Sequence, residues 1–266
     1  MLVLCMVVSV FAFAGCGGAA PSGDAANGGQ AGGSPYEVVS AAIEKTLKAK
    51  SFEANVVTSL KTDLMGNVSE TSSDFNIKAT AVDTAKPQMT VDGKMEIMES
   101  AIPQKFYYDG EWKYFDITEN GGYKMACTFE EFSKEVEAPQ NIIVALPEEL
   151  FKDAQSKTGD DGSLTVTVVV DEATMESIYK DAVTAVVYDV VGEDLAQAVT
   201  KDASVTVTVA DGYVRDFKVS FVCEITAGND KVTYNAVDSV SLVSCDKDVT
   251  VTPPANLDKF YETDFR

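Results

Sequence analysis

Apolar positions follow two different periods along this chain. From Ser34 the period is helical: Tyr36, Val39, Ile43 and Leu47 recur three or four residues apart, predicting a helix to about Lys50. Ser34-Pro35-Tyr36-Glu37 opens it with Ser at the N-cap, Pro at the first helical position and Glu three residues after the cap. From Phe52 the period drops to two. Thr-, Val- and Ser-rich alternation over residues 52–64, 68–82 and 88–99 predicts strands. Gly66-Asn67 separates the first two, and Asp92-Gly93 marks a tight turn or a bulge in the third. Asp109-Gly110 joins residues 105–108 to 111–117 as a two-residue hairpin, and Asn120-Gly121-Gly122 leads into residues 123–127.

The second half repeats that order. Thr128 caps a helix with Glu131 three residues on, and Pro147-Glu148-Glu149-Leu150 predicts a short one. Residues 163–170 read as a strand. Asp171 then caps a long helix with apolar positions Met175, Ile178, Tyr179, Ala182, Val183, Val186, Val187 and Val190. Gly192 is its candidate break, with residues 195–199 resuming it. Long strands follow at 203–209, 213–226 and 231–245, joined through Asp211-Gly212 and Gly228-Asn229. Pro253-Pro254 ends regular structure, and Leu257, Phe260, Tyr261 and Phe265 are expected to pack on the body. Strands joined by short connections, with few helices between them, predict an α+β fold: one large curved antiparallel sheet with helices covering one face. Two α+β halves are the alternative.

Ahead of the domain lies an address. Residues 1–14 are apolar apart from Ser9 and are too short to span a bilayer, which takes about 20 apolar residues. Ala14-Gly15-Cys16 resembles the lipobox of bacterial lipoproteins, with Phe13 where Leu is usual. On that resemblance residues 1–15 are a signal peptide and Cys16 carries a diacylglyceryl anchor. The lack of Lys or Arg before the apolar run is expected of a chain whose true start lies elsewhere. Residues 16–33, rich in Gly, Ala and Ser, form a flexible tether with a reach on the order of 20–25 Å. Residues 34–266 form the folded domain, working outside the cytoplasm and held at the membrane through Cys16.

Charge and composition narrow the chemistry. With 42 acidic residues against 21 basic, a net charge of −21 disfavours nucleic acid and anionic membrane surfaces as partners. There is no histidine, which removes Ser-His-Asp and Cys-His hydrolysis, HExxH metalloprotease chemistry and His-ligated haem. Once Cys5 and Cys16 are set aside, Cys127, Cys223 and Cys245 remain without a CxxC spacing, so no zinc site is expected. No cofactor, metal or catalytic residue is assigned.

The Cys16 lipobox, the first helix running into Ser51-Phe52, the segment Phe106-Tyr107-Tyr108-Asp109-Gly110-Glu111-Trp112-Lys113-Tyr114, the middle helical insert and the last long strands together resemble the LolA/LppX-like superfamily of lipoproteins and lipoprotein carriers. That resemblance implies an open half-barrel with helices packed on its concave face, and an apolar cavity between them that takes acyl chains.

Three groups of side chains are weighed as sites. With Asp109-Gly110 as the turn, Tyr107 faces Trp112 and Tyr114 lies on the same side, while Phe106, Tyr108 and Phe115 take the other. Tyr107, Trp112 and Tyr114 are the candidate ligand-lining residues, as a lipid-cavity wall or a sugar-stacking platform; plain core packing is the competing reading. The carboxylate pairs Glu130/Glu131, Glu135/Glu137, Glu148/Glu149 and Asp160/Asp161 are the numbers expected of an acidic chain, and catalysis is not assigned to them. Pairing about Asn229-Asp230 sets Cys223 near Ala236 and Cys245 near Val214, so buried thiols are expected rather than a disulfide. The expectation is therefore a lipoprotein that binds or carries an apolar ligand. A structural lipoprotein that docks another envelope protein is the alternative.

Overall fold

In the computed structural model, residues 33–97, 100–175, 196–227 and 230–263 are described. Helix α1 (Pro35–Leu47) begins as its first residues dictate: the Ser34 hydroxyl accepts from the Glu37 N–H, and the Glu37 carboxylate accepts from the Ser34 N–H at 2.7 Å. Its buried face is Val39, Ala42, Ile43 and Thr46. A meander follows, made of β1 (Phe52–Leu64), β2 (Asn67–Thr80), β3 (Gln88–Ile97), β4 (Ser100–Tyr108), β5 (Trp112–Thr118) and β6 (Gly121–Ala126). Helices α2 (Phe129–Glu135) and α3 (Pro139–Ile142) and a 3-10 turn (Glu148–Phe151) precede the second meander. Its strands are β7 (Gln155–Thr158), β8 (Leu164–Val170), β9 (Ala196–Ala210), β10 (Tyr213–Ala227) and β11 (Asp230–Cys245), and β12 (Phe260–Glu262) closes the chain.

The twelve strands of the described residues form one sheet, in the order β12-β6-β5-β4-β3-β2-β1-β11-β10-β9-β8-β7. The meanders meet at its centre, where β1 and β11 pair antiparallel from Phe52↔Cys245 to Leu64↔Val232. Every described pairing is antiparallel except β12 with β6. The sheet is open rather than closed into a barrel: an α+β half-barrel, as the alternation predicts. Inward positions of successive strands (Ala54, Val56, Ile77, Met89, Val91, Val166, Val205, Phe217, Val219, Ile225) form one core with α1, α2 and α3 on a single face. The C-terminal end of α1 is tied to the sheet where the Val214 N–H donates to the Thr46 hydroxyl at 2.9 Å and the Lys45 ammonium lies 3.7 Å from the Tyr213 ring centre.

Several local expectations change. The first hairpin turns on Met65-Gly66, both at positive φ (53° and 88°), not on Gly66-Asn67. Asp92-Gly93 is neither a turn nor a bulge. Gly93 lies opposite Phe75 in regular pairing, and a side chain there would meet the Asp74 carbonyl oxygen at 2.0 Å, so the residue is set by close approach of neighbouring strands. Residues 196–199, expected to resume a helix, open β9 instead: Gln197 pairs with Thr226 and Val199 with Glu224, and the ladder with β10 overrides a weak helical period. Asp171 caps a helical turn over 172–175, accepting from the Thr174 N–H at 2.9 Å; the rest of that expected helix lies outside the described residues.

Candidate functional site

The hairpin between β4 and β5 separates its aromatic side chains by face, and the faces have different neighbours. Asp109 organises the turn: its carboxylate accepts from the Glu111 N–H at 3.0 Å, the Trp112 N–H at 2.8 Å and the Tyr114 hydroxyl at 2.8 Å. These bonds widen the loop, so Tyr107 pairs with Tyr114 and Tyr108 with Lys113, two residues away from the register of a two-residue hairpin. A shift of two keeps each side chain on its face. Tyr107, Trp112 and Tyr114 thus share one side, as expected, and they do not line the large cleft described below. They pack with Phe260, Leu257 and Val251 of the C-terminal segment in a small cluster of their own, with Tyr114 edge-on to Phe260 at 5.2 Å. Phe260 reaches them because β12 adds parallel to β6.

A large cleft lies on the opposite face. Phe75 (β2), Val91 and Met95 (β3), Ile102 and Phe106 (β4) and Phe115 (β5) form an apolar floor, and α2 with its C-terminal corner forms the roof. The cleft encloses about 1060 Å³, at the upper end of ligand pockets in general (about 300–1,000 Å³). Helix α2 is held over the sheet by Phe132, which stacks on Tyr108 at 4.9 Å, and by the Thr128–Glu131 capping box. The Tyr108 hydroxyl donates to the Cys127 carbonyl at 3.2 Å. The cleft wall also carries a cation already matched: Lys113, whose side chain is 11% exposed, pairs with Glu135 and lies 4.9 Å from the Phe106 ring centre.

At the inner end is a carboxylate with no such match. Glu137 follows the last turn of α2 in the left-handed conformation (φ 49°), and the Ala138 N–H beyond it donates back to the Ser133 carbonyl at 3.2 Å. This is the Schellman closure of a helix, at a position where glycine is usual. Glu137 is 6% exposed, and neither of its carboxylate oxygens has a hydrogen-bond partner. Burial, reinforced by the Asp238 carboxylate, pushes its carboxyl up to about 8. Asp238 stands on β11 opposite Thr58 of β1, and Thr58 stands opposite Ser73 of β2. The Thr58 and Ser73 hydroxyls are hydrogen-bonded at 2.7 Å in the interior. A polar row thus crosses an otherwise apolar sheet face, between the row Phe75-Val56-Val240-Phe217 and the row through Leu60, Ala236 and Phe221. Burial alone pushes the Asp238 carboxyl up to about 6.

Sequence reasoning placed Glu137 only in an adjacent acidic pair and did not single out Asp238. The signal for Asp238 was present: it falls at an inward position of β11, between Ala236 and Val240. Of the other acidic pairs, Glu130 is paired with Lys134 and Asp161 with Arg215; the Ser163 hydroxyl and the Arg215 guanidinium hold the Asp161 carboxyl well below its usual range. Cys127, Cys223 and Cys245 are free thiols, raised to about 11 by burial. Cys223 stands opposite Tyr234 rather than Ala236, and Cys245 opposite Phe52. Among the described residues no helix is long and apolar enough to cross a membrane. Cys16 lies outside the described residues.

An open antiparallel half-barrel with a helix-roofed apolar cleft is the architecture that the resemblance to LolA/LppX-like lipoproteins implies. No protein-family model matches the chain, and no curated protein matches it. Among solved structures it is similar to the crystal structure of LprF from Mycobacterium bovis, with a TM-score of 0.43 and 12% identity over 84% of this chain and 100% of that one. A likeness of this degree assigns no function.

Proposed function

We propose that this chain is a lipoprotein, anchored at the outer side of a bacterial membrane through Cys16, that binds or carries an apolar, lipid-like ligand in the cleft between β2–β5 and α2. The observation that carries this reading is the cleft itself: about 1060 Å³ floored by Phe75, Val91, Met95, Ile102, Phe106 and Phe115. Unfilled apolar surface of this extent loses contacts that an acyl chain restores. The alternative is a structural lipoprotein that docks an envelope protein. The opposite face of the sheet is laced with cross-strand hydroxyl pairs, Thr165–Thr208 at 3.1 Å, Thr167–Thr206 at 3.0 Å and Ser204–Ser220 at 2.9 Å.

Native mass spectrometry of the protein purified from its host without detergent tests the ligand. Adducts of an apolar small molecule, removed by organic extraction and restored by adding the extract back, are expected. A single unliganded mass that takes up nothing from a total lipid extract would sink the reading. The anchor has its own test: Cys16→Ser should move the protein from the detergent phase to the aqueous phase in a cloud-point partition.

A further inference from the structure

Among the described residues, buried side-chain polar atoms lacking a hydrogen-bond partner are confined to Glu137 and Gln140. Glu137 is the unusual one. A side chain in the left-handed region costs about 1–2 kcal/mol where glycine would be free of strain, and burying an unsatisfied carboxyl adds to that. Both costs fall on one residue, at the inner end of the large cleft. A buried acid is usually answered by a resident cation. Here the cations bordering the cleft are taken: Lys113 by Glu135, Lys134 by Glu130 and Lys105 by Asp92. The titratable group that bears on Glu137 from the sheet is a second acid, Asp238 of β11. The site thus holds two carboxyl groups, an apolar approach and no counter-charge of its own among the described residues.

We propose that the cleft recognises the cationic end of an apolar amine at its Glu137 end, with the Glu137 carboxylate, covered in the empty fold, turning to become its direct partner, Asp238 behind it and the alkyl body along the Phe75–Phe106–Phe115 floor. An ammonium group donates up to three hydrogen bonds. It satisfies the orphaned oxygens of Glu137 and relieves the repulsion between the two acids, and a fatty acid of the same length does neither. This inference rests on the reading of the cleft as an apolar-ligand site and adds the chemistry of the ligand's polar end.

The test is calorimetric titration of the intact chain with dodecylamine, dodecanol and dodecanoate, each below its micellar concentration, repeated on Glu137→Gln. Charge-assisted hydrogen bonds are the strong ones, so dodecylamine is expected to bind at least about tenfold more tightly than dodecanol. Glu137→Gln should erase that preference while dodecanol binding stays within about twofold, since the floor is untouched. The wild-type ranking decides the matter even if the variant does not fold. Equal affinity for amine and alcohol, a preference for dodecanoate, or unchanged amine binding by Glu137→Gln would each overturn the inference and leave the apolar cleft standing. Failure of all three probes to bind would overturn both.

Discussion

Glu137→Gln should make the empty protein more stable, and increasingly so as pH rises. The wild-type carboxyl is held up to about 8 in the folded chain against an ordinary 4.5. Folding therefore favours its protonated form. The stabilisation linked to that proton is fully present below the unfolded value and is lost as pH rises through the folded one. At about 1.4 kcal/mol per pH unit of separation, the full effect is on the order of 5 kcal/mol, an upper bound that water penetration and local relaxation reduce to a few kcal/mol. Asp238, raised to about 6 from 3.8, works in the same direction over a lower window. Glutamine is nearly isosteric and does not titrate. Urea unfolding followed by circular dichroism from about pH 4 to about pH 9 gives the difference between variant and wild type directly. That difference should be smallest near pH 4.5, grow through neutrality and level off above about pH 8. A difference independent of pH, or a variant less stable than wild type at about pH 9, would refute the placement of Glu137 as a buried, unpartnered acid.

Other expectations separate the two faces of the aromatic hairpin and the packing beneath them. Phe106→Ala removes part of the cleft floor and should weaken dodecanol binding by roughly tenfold or more, read by calorimetry. Tyr114→Phe removes the 2.8 Å hydrogen bond to Asp109; it should cost about 1 kcal/mol in urea unfolding and leave dodecanol binding unchanged. Loss of probe binding in Tyr114→Phe would return the Tyr107–Trp112–Tyr114 cluster to consideration as a ligand wall. Gly93→Ala places a methyl group 2.0 Å from the Asp74 carbonyl and 2.7 Å from the Phe75 ring. It should lower stability by more than about 3 kcal/mol, or abolish soluble expression, with unfolding midpoint and yield as the readouts.

Much of this architecture was legible in the chain because burial imposes a period on it. Inward Phe52, Ala54 and Val56 mark β1 over residues 52–64, the span the structure shows, and both capping boxes form as written at Ser34 and Thr128. Where burial imposes nothing, alternation is silent. Strand β7 is exposed along its whole length, and the start of β4, Ser100 to Pro103, is exposed likewise. Pairing partners define those stretches instead. Periodicity sorts Tyr107, Trp112 and Tyr114 from Phe106 and Phe115 correctly, yet it cannot say which set meets the cleft. That depends on α2 docking against one face and Phe260 arriving at the other, which are contacts between distant parts of the chain. Glu137 was hidden for a related reason: in a chain with 42 acidic residues, one more Glu after a helix carries no signal until its burial is known.

The central claim is that an apolar ligand occupies the cleft between β2–β5 and α2. Methyl-resolved NMR of the intact chain titrated with dodecanol tests it most directly. Met95 and Ile102 line the cleft, whereas Met89 and Ile225 are fully buried elsewhere in the core. The account requires saturable shifts at Met95 and Ile102 with Met89 and Ile225 nearly still. Shifts centred instead on Val251 and Leu257, beside the Tyr114–Phe260 cluster, or no saturable shift at any methyl group, would contradict it.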